Sequence, residues 1–71
     1  MAVTGMQLSL RAWRHSLYPV VRQKEIAAAL GIRADSYSRI ERGVMNPGRA
    51  TKSMLYRLRT DLVFRRLVLG R

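Results

Sequence analysis

Cysteine is absent, and His15 is the only histidine. The first absence excludes disulfides, and the two together exclude a Cys/His zinc site. Acidic residues are scarce as well: Glu25, Asp35, Glu41 and Asp61 are the whole supply. No carboxylate dyad, nucleophile–base pair or phosphate-cradling glycine loop can be assembled from what remains. Catalytic residues, metal, cofactor and small-molecule ligand are all therefore expected to be none, and the chain is not expected to be an enzyme. No apolar run approaches the ~20 residues that span a bilayer. "MAVTGMQLSL", from Met1 to Leu10, lacks the basic start and long apolar stretch of a secretory signal. The expectation is a soluble, cytoplasmic protein with no membrane partner.

What the chain has in excess is positive charge. Fourteen basic residues face four acidic ones, a net +10, and twelve of the fourteen are arginine. Such a field attracts polyanions, with nucleic acid first and anionic membrane second. At 71 residues the chain is one small domain, residues 1–71, and it is marginal unless well packed or oligomeric. Its hydrophobic content of 48% is enough for a compact core. Repeats, linkers and low-complexity tracts are missing.

Periodicity predicts helices throughout. Thr4 and Gln7 have capping-box spacing, and Met6, Leu10, Trp13 and Leu17 then recur along one helical face. Pro19 should stop this helix near Tyr18, with Val20 and Val21 tucked into the core as a connector. Trp13 belongs to the apolar stripe, while His15 falls on the exposed side and receives no role. A second helix is expected from Gln23 to Leu30, with Ile26, Ala27 and Leu30 inward. A third should run from Ala34 to Arg42, with Tyr37 and Ile40 inward and Gly43 at its end. "VMNPG" reads as a loop. A fourth helix begins near Gly48 or Arg49, with Thr51, Leu55, Leu58 and Leu62 on one face. Beyond Asp61, "LVFRRLVL" fits a continued helix, a fifth helix or a strand, and periodicity cannot choose for so short a run.

The stretch from Gln23 to Gly43, "QKEIAAALGIRADSYSRIERG", is the informative one. Two helices joined by a three- or four-residue turn must cross steeply. The crossing needs a small residue, which Ala27 supplies. The turn needs one that tolerates positive φ, which Gly31 supplies. Gln23, Ile26, Ala27, Leu30, Gly31, Ile32, Ser36, Ser38, Arg39, Ile40, Glu41, Gly43, Asn46 and Pro47 together resemble the Cro/phage-repressor class of helix-turn-helix proteins, the XRE family. The run "SRIERGVMNP", Ser38 to Pro47, is especially similar. The resemblance covers roughly Leu10 to Leu58. It implies an all-α, lambda-repressor-like bundle of four or five helices, with the helix-turn-helix motif at 23–42. It also implies sequence-specific binding of double-stranded DNA by a homodimer. Where that family usually places Ser or Thr at the starts of the two motif helices, this chain has Arg22 and Arg33, which weakens each cap by ~1 kcal/mol.

Site residues follow from the motif. The outward face of the third helix would read base edges. By resemblance, Ala34, Asp35, Ser36 and Arg39 match base-contacting positions, and Arg39 suits a bidentate contact to guanine. Arg22, Gln23, Arg33, Ser38, Arg42, Asn46, Arg49 and Lys52 are the phosphate-contacting set, near helix N-termini or at the edges of the same face. Glu41, in its "IERG" context, implies a structural salt bridge to the first helix, with Arg14 the expected partner and Arg11 the alternative. Val63, Phe64, Leu67, Val68 and Leu69 exceed what one short helix can bury, so residues 59–71 are expected to serve as a dimerisation tail in which some of them pair with a second copy; the alternative is a monomer whose tail seals its own core. The expected function is a transcriptional regulator, a repressor of phage, plasmid or similar compact origin, binding an inverted repeat. The alternatives are a DNA-binding antitoxin whose tail grips a toxin, and a basic amphipathic peptide acting on membranes or RNA.

Overall fold

The computed structural model describes residues 9–71. The chain is all-α, with five helices: α1 (Leu10–Ser16), α2 (Gln23–Leu30), α3 (Ala34–Glu41), α4 (Arg49–Thr60) and α5 (Leu62–Leu69). Among the described residues there is no strand. The choice left open after Asp61 is resolved by that one side chain. Asp61 breaks α4 with an extended backbone, and its carboxylate then accepts the Phe64 N–H at 3.0 Å to open α5.

The helix expected from Thr4 starts later among the described residues. Ser9 caps α1, its hydroxyl accepting the Ala12 N–H at 3.1 Å. The capping pair proposed at Thr4 and Gln7, and Met6 with it, lie outside the described residues. The helix ends at Ser16, since Leu17 already has an extended backbone.

α2 and α3 are joined by Gly31, Ile32 and Arg33 alone. Gly31 sits at φ 72°, the left-handed region. Its N–H donates to the Ala28 carbonyl at 3.1 Å, and the Ile32 N–H returns to the Ala27 carbonyl at 3.0 Å. This pair of bonds satisfies carbonyls that the end of α2 would otherwise leave free. The second helix of the pair ends the same way at Gly43, with Val44 N–H donating to the Arg39 carbonyl at 2.9 Å.

The core lies beneath this turn. Trp13, Leu17, Val21, Ile26, Ala27, Tyr37, Leu55, Leu58 and Leu69 form one buried cluster, and Leu10, Leu30, Ile32, Met54 and Phe64 pack on it. Ala27 is almost wholly buried where α2 meets α3, so the small side chain sits where the close approach needs it. Two apolar assignments are corrected. Val20 and Leu62 are about half exposed, because the connector turns only Val21 inward and the break at Asp61 rotates Leu62 off the face of α4. Two arginines serve packing: Arg57 lies 3.8 Å over the Phe64 ring, and Arg59 lies 5.6 Å from the Trp13 ring centre. Arg71 ties the chain end to α2 and the connector, through Glu25 at 3.2 Å and the Pro19 carbonyl at 2.9 Å.

Gly31→Ala isolates the backbone strain, because no neighbouring atom lies near an added Cβ. The variant is expected to lose about 1 kcal/mol in urea unfolding, the cost of a left-handed alanine. An unchanged midpoint would show that the turn relaxes without cost.

Candidate nucleic-acid interface

α3 has two faces of opposite character. Tyr37 and Ile40 are buried, while Ala34, Asp35, Arg39 and Arg42 are exposed and Ser36 is half-buried. The four residues matched to base contacts, Ala34, Asp35, Ser36 and Arg39, thus lie on the first turn and outer side of one helix. Asp35 does not stand as a bare anion there: Arg33 reaches it at 3.1 Å in an exposed pair that adds little stability.

What fixes α3 is a buried ion pair. Arg14 of α1 holds Glu41 through two parallel bonds, Nε to Oε2 at 3.0 Å and Nη2 to Oε1 at 2.8 Å. Its remaining nitrogen, Nη1, donates to the Val21 carbonyl at 3.0 Å. Gln23 Nε2 adds a bond to Glu41 Oε1 at 3.2 Å. One guanidinium therefore joins α1, the connector and α3, and Glu41 reaches the start of α2. Arg14 rather than Arg11 fills this role, since it lies on the buried side of α1. The buried Tyr37 hydroxyl lies beside the pair, short of good hydrogen-bond geometry yet close enough to favour the carboxylate.

Charges at this junction shift accordingly. Burial alone would raise the Glu41 pKa, but the donors of Arg14, Tyr37 and Gln23 outweigh it, and the group lies below its ordinary 4.5. The hydrogen bond to Glu41 raises Arg14 further. Burial, reinforced by the Glu41 carboxylate, pushes the Tyr37 phenol up, so it stays neutral.

The residues expected to contact phosphate are spread over three places. Arg22 is exposed at the N-terminus of α2, and its side chain caps nothing; instead the Glu25 carboxylate accepts the Arg22 N–H at 2.7 Å. Gln23 is half-buried and spends one amide hydrogen on Glu41, leaving its second for another acceptor. Arg33 is exposed and paired with Asp35. Ser38 is half-buried beside exposed Arg42, whose Nε points at the Ser38 carbonyl at 3.4 Å. Asn46, Arg49 and Lys52 are exposed around the start of α4. All four acids are committed, to Arg14, Arg33, Arg57 and Arg71. Arg11, Arg22, Arg39, Arg42, Arg49 and Lys52 consequently have no carboxylate partner among the described residues.

The tail divides. Leu69 is buried in the chain's own core, and Phe64 packs on that core beneath Arg57, so both are corrected out of the free apolar face. Val63, Leu67 and Val68 stay exposed on α5. Residue-type patterning missed one further feature, a cleft between α1 and the α2–α3 pair that gathers Arg11 and His15 beside Gln23, Ser38 and Arg42. No local signal marks it, because its residues come from three helices.

Glu41→Ala strands the buried Arg14 charge and should cost about 3–5 kcal/mol in denaturant unfolding, enough to unfold a domain this small. Arg14→Ala combined with Glu41→Leu should cost clearly less than the two single changes summed. Because folding lowers the Glu41 pKa, its contribution is present above 4.5 and is lost as acid carries the pH through the folded value. Wild-type stability should fall on acidification below that point, with a shallower fall in the double variant. No family model, curated protein or solved structure matches the chain, so what it does has to be read from this surface.

Proposed function

We propose that the chain is a sequence-specific double-stranded DNA-binding regulator that presents α3 to the major groove. The observation that carries this reading is the outer face of α3. It is polar and solvent-facing, bears Arg39 and Arg42 with no carboxylate partner among the described residues, and belongs to the second of two helices locked by the Gly31 turn and the Arg14–Glu41 pair. An α-helix fits the major groove, and an arginine on it can donate two bonds to guanine O6 and N7. Arg39 takes that role, and Ala34, Asp35 and Ser36 complete the reading edge. Arg22, Gln23 and Arg33 flank one side, while Asn46, Arg49 and Lys52 supply backbone contacts from the start of α4.

Repression is the regulatory mode that suits these dimensions. The described residues measure 29 × 28 × 21 Å, less than a DNA turn of about 34 Å, so one copy would cover a single half-site. Two copies related by a two-fold axis would cover an inverted repeat and block whatever else must bind there. Val63, Leu67 and Val68 on α5 form the apolar face that supports pairing. The same face would suit a toxin in the antitoxin reading, and the state of the purified chain separates the two. Light scattering at high micromolar concentration should show a dimer that Leu67→Glu converts to a monomer. A wild-type monomer under those conditions removes the dimer and leaves α5 for another protein.

Selection of bound duplexes from a random pool tests DNA reading directly. An inverted motif with half-sites about one turn apart is expected. Arg39→Ala should relax preference at one base position per half-site. Arg49→Ala should weaken all sequences alike and flatten the salt dependence by about one unit of slope. A pool that returns no motif would overturn sequence-specific reading.

A further inference from the structure

We propose that the cleft between α1 and the α2–α3 pair is a phosphate subsite, lined by Arg11 and His15 in addition to the residues of α2 and α3, and that it grips one backbone phosphate of bound duplex. This extends the interface to α1 and rests on the DNA-binding reading of the preceding subsection. It gives a role to His15, which the one-dimensional pattern leaves without any.

Arg11, Arg14 and His15 line the cleft from α1, Gln23 from α2, and Ser38, Glu41 and Arg42 from α3. Its volume is about 350 Å³. The cleft is open to solvent on one side and has room for a phosphate group. Glu41 would repel an anion if its charge were free. It is not, because Arg14 holds both of its oxygens and Gln23 bonds one of them again. With that pair neutralised, Arg11 and Arg42 line the cleft as charges without a carboxylate partner among the described residues, with His15 beside them. All three are exposed.

The donors fit the ligand. Arg11 and Arg42 offer planar forks suited to phosphate oxygens. Gln23 retains one amide hydrogen and Ser38 a hydroxyl, and Gln23 lines the cleft as the first residue of α2. Ser38 and Arg42 belong to α3 itself, so the cleft is continuous with the reading face. A duplex lying along α3 would bring its backbone past this point.

Because His15 is the only histidine, its ring protons report on this one site. The full chain is titrated by proton NMR, first with inorganic phosphate against sodium chloride of matched ionic strength, then with a generic duplex of about two helical turns. The ring signals should move saturably with phosphate and with duplex, and stay still with chloride. Arg11→Gln combined with Arg42→Gln should suppress both responses, with Trp13 emission confirming that these two surface changes leave the fold intact. Arg11→Gln alone should lower the salt slope of duplex binding by about one. Duplex binding with a silent His15 ring, or a response unchanged in the double variant, would overturn the subsite while leaving DNA binding intact. A response to phosphate without any duplex binding would overturn the DNA reading and assign the cleft to free phosphate. A response to duplex alone, lost in the double variant, would assign it to backbone phosphate only.

Discussion

Arg14 spends every face of its guanidinium inside the protein. Two nitrogens hold Glu41 at 3.0 and 2.8 Å, and the third holds the Val21 carbonyl at 3.0 Å. The helices α1 and α3 are far apart in sequence, and the connector between α1 and α2 has no regular structure. Without this contact, only the Gly31 turn and apolar packing would set the angle at which α3 leaves the core. Apolar packing is weakly directional, whereas a bidentate guanidinium–carboxylate pair admits one orientation. The pair adds little net stability against an apolar substitute; its contribution is position. Gln23 brings the start of α2 to the same carboxylate, so both helices of the motif refer to one fixed point.

From that point the distribution of charge follows. Glu41 is internal, and Glu25, Asp35 and Asp61 are each held by an arginine. Arg57 and Arg59 spread over aromatic rings and Arg71 closes the chain end, so a third or so of the arginines serve the fold. Those that remain without carboxylates include Arg11, Arg22, Arg39, Arg42 and Arg49, grouped on the helices of the motif and its flanks. A polyanion is the partner that so many uncompensated guanidinium groups favour. The positive charge of the chain is thus divided between cohesion and an exposed surface that includes Arg39 and Arg42 on and beside α3.

The motif was legible because its constraints are local. The small residue at Ala27, the glycine at Gly31 and the apolar positions at Ile26, Tyr37 and Ile40 each answer to neighbours within one or two turns. So did the ends of α2 and α3, and the expected Arg14–Glu41 contact lies where the structure has it. Features set by distant parts of the chain were not legible. Periodicity carried Leu62 onto α4, but the Asp61 break turned it outward. It counted Phe64 and Leu69 as surplus because their partners in the core come from elsewhere. The Ser9 cap that opens α1 at Leu10 went unread because the Thr4–Gln7 spacing offered an earlier cap. The cleft with Arg11, His15 and Arg42 has no trace in any single helix, since three helices must dock before it exists.

Backbone amide shifts recorded while duplex DNA is added decide most directly whether α3 is the surface that meets it. The largest changes are expected from Ala34 to Arg42 and at Arg22 and Gln23, with buried Leu58 little affected. Saturable binding of duplex with the α3 amides unmoved would contradict the presentation of this helix to the groove.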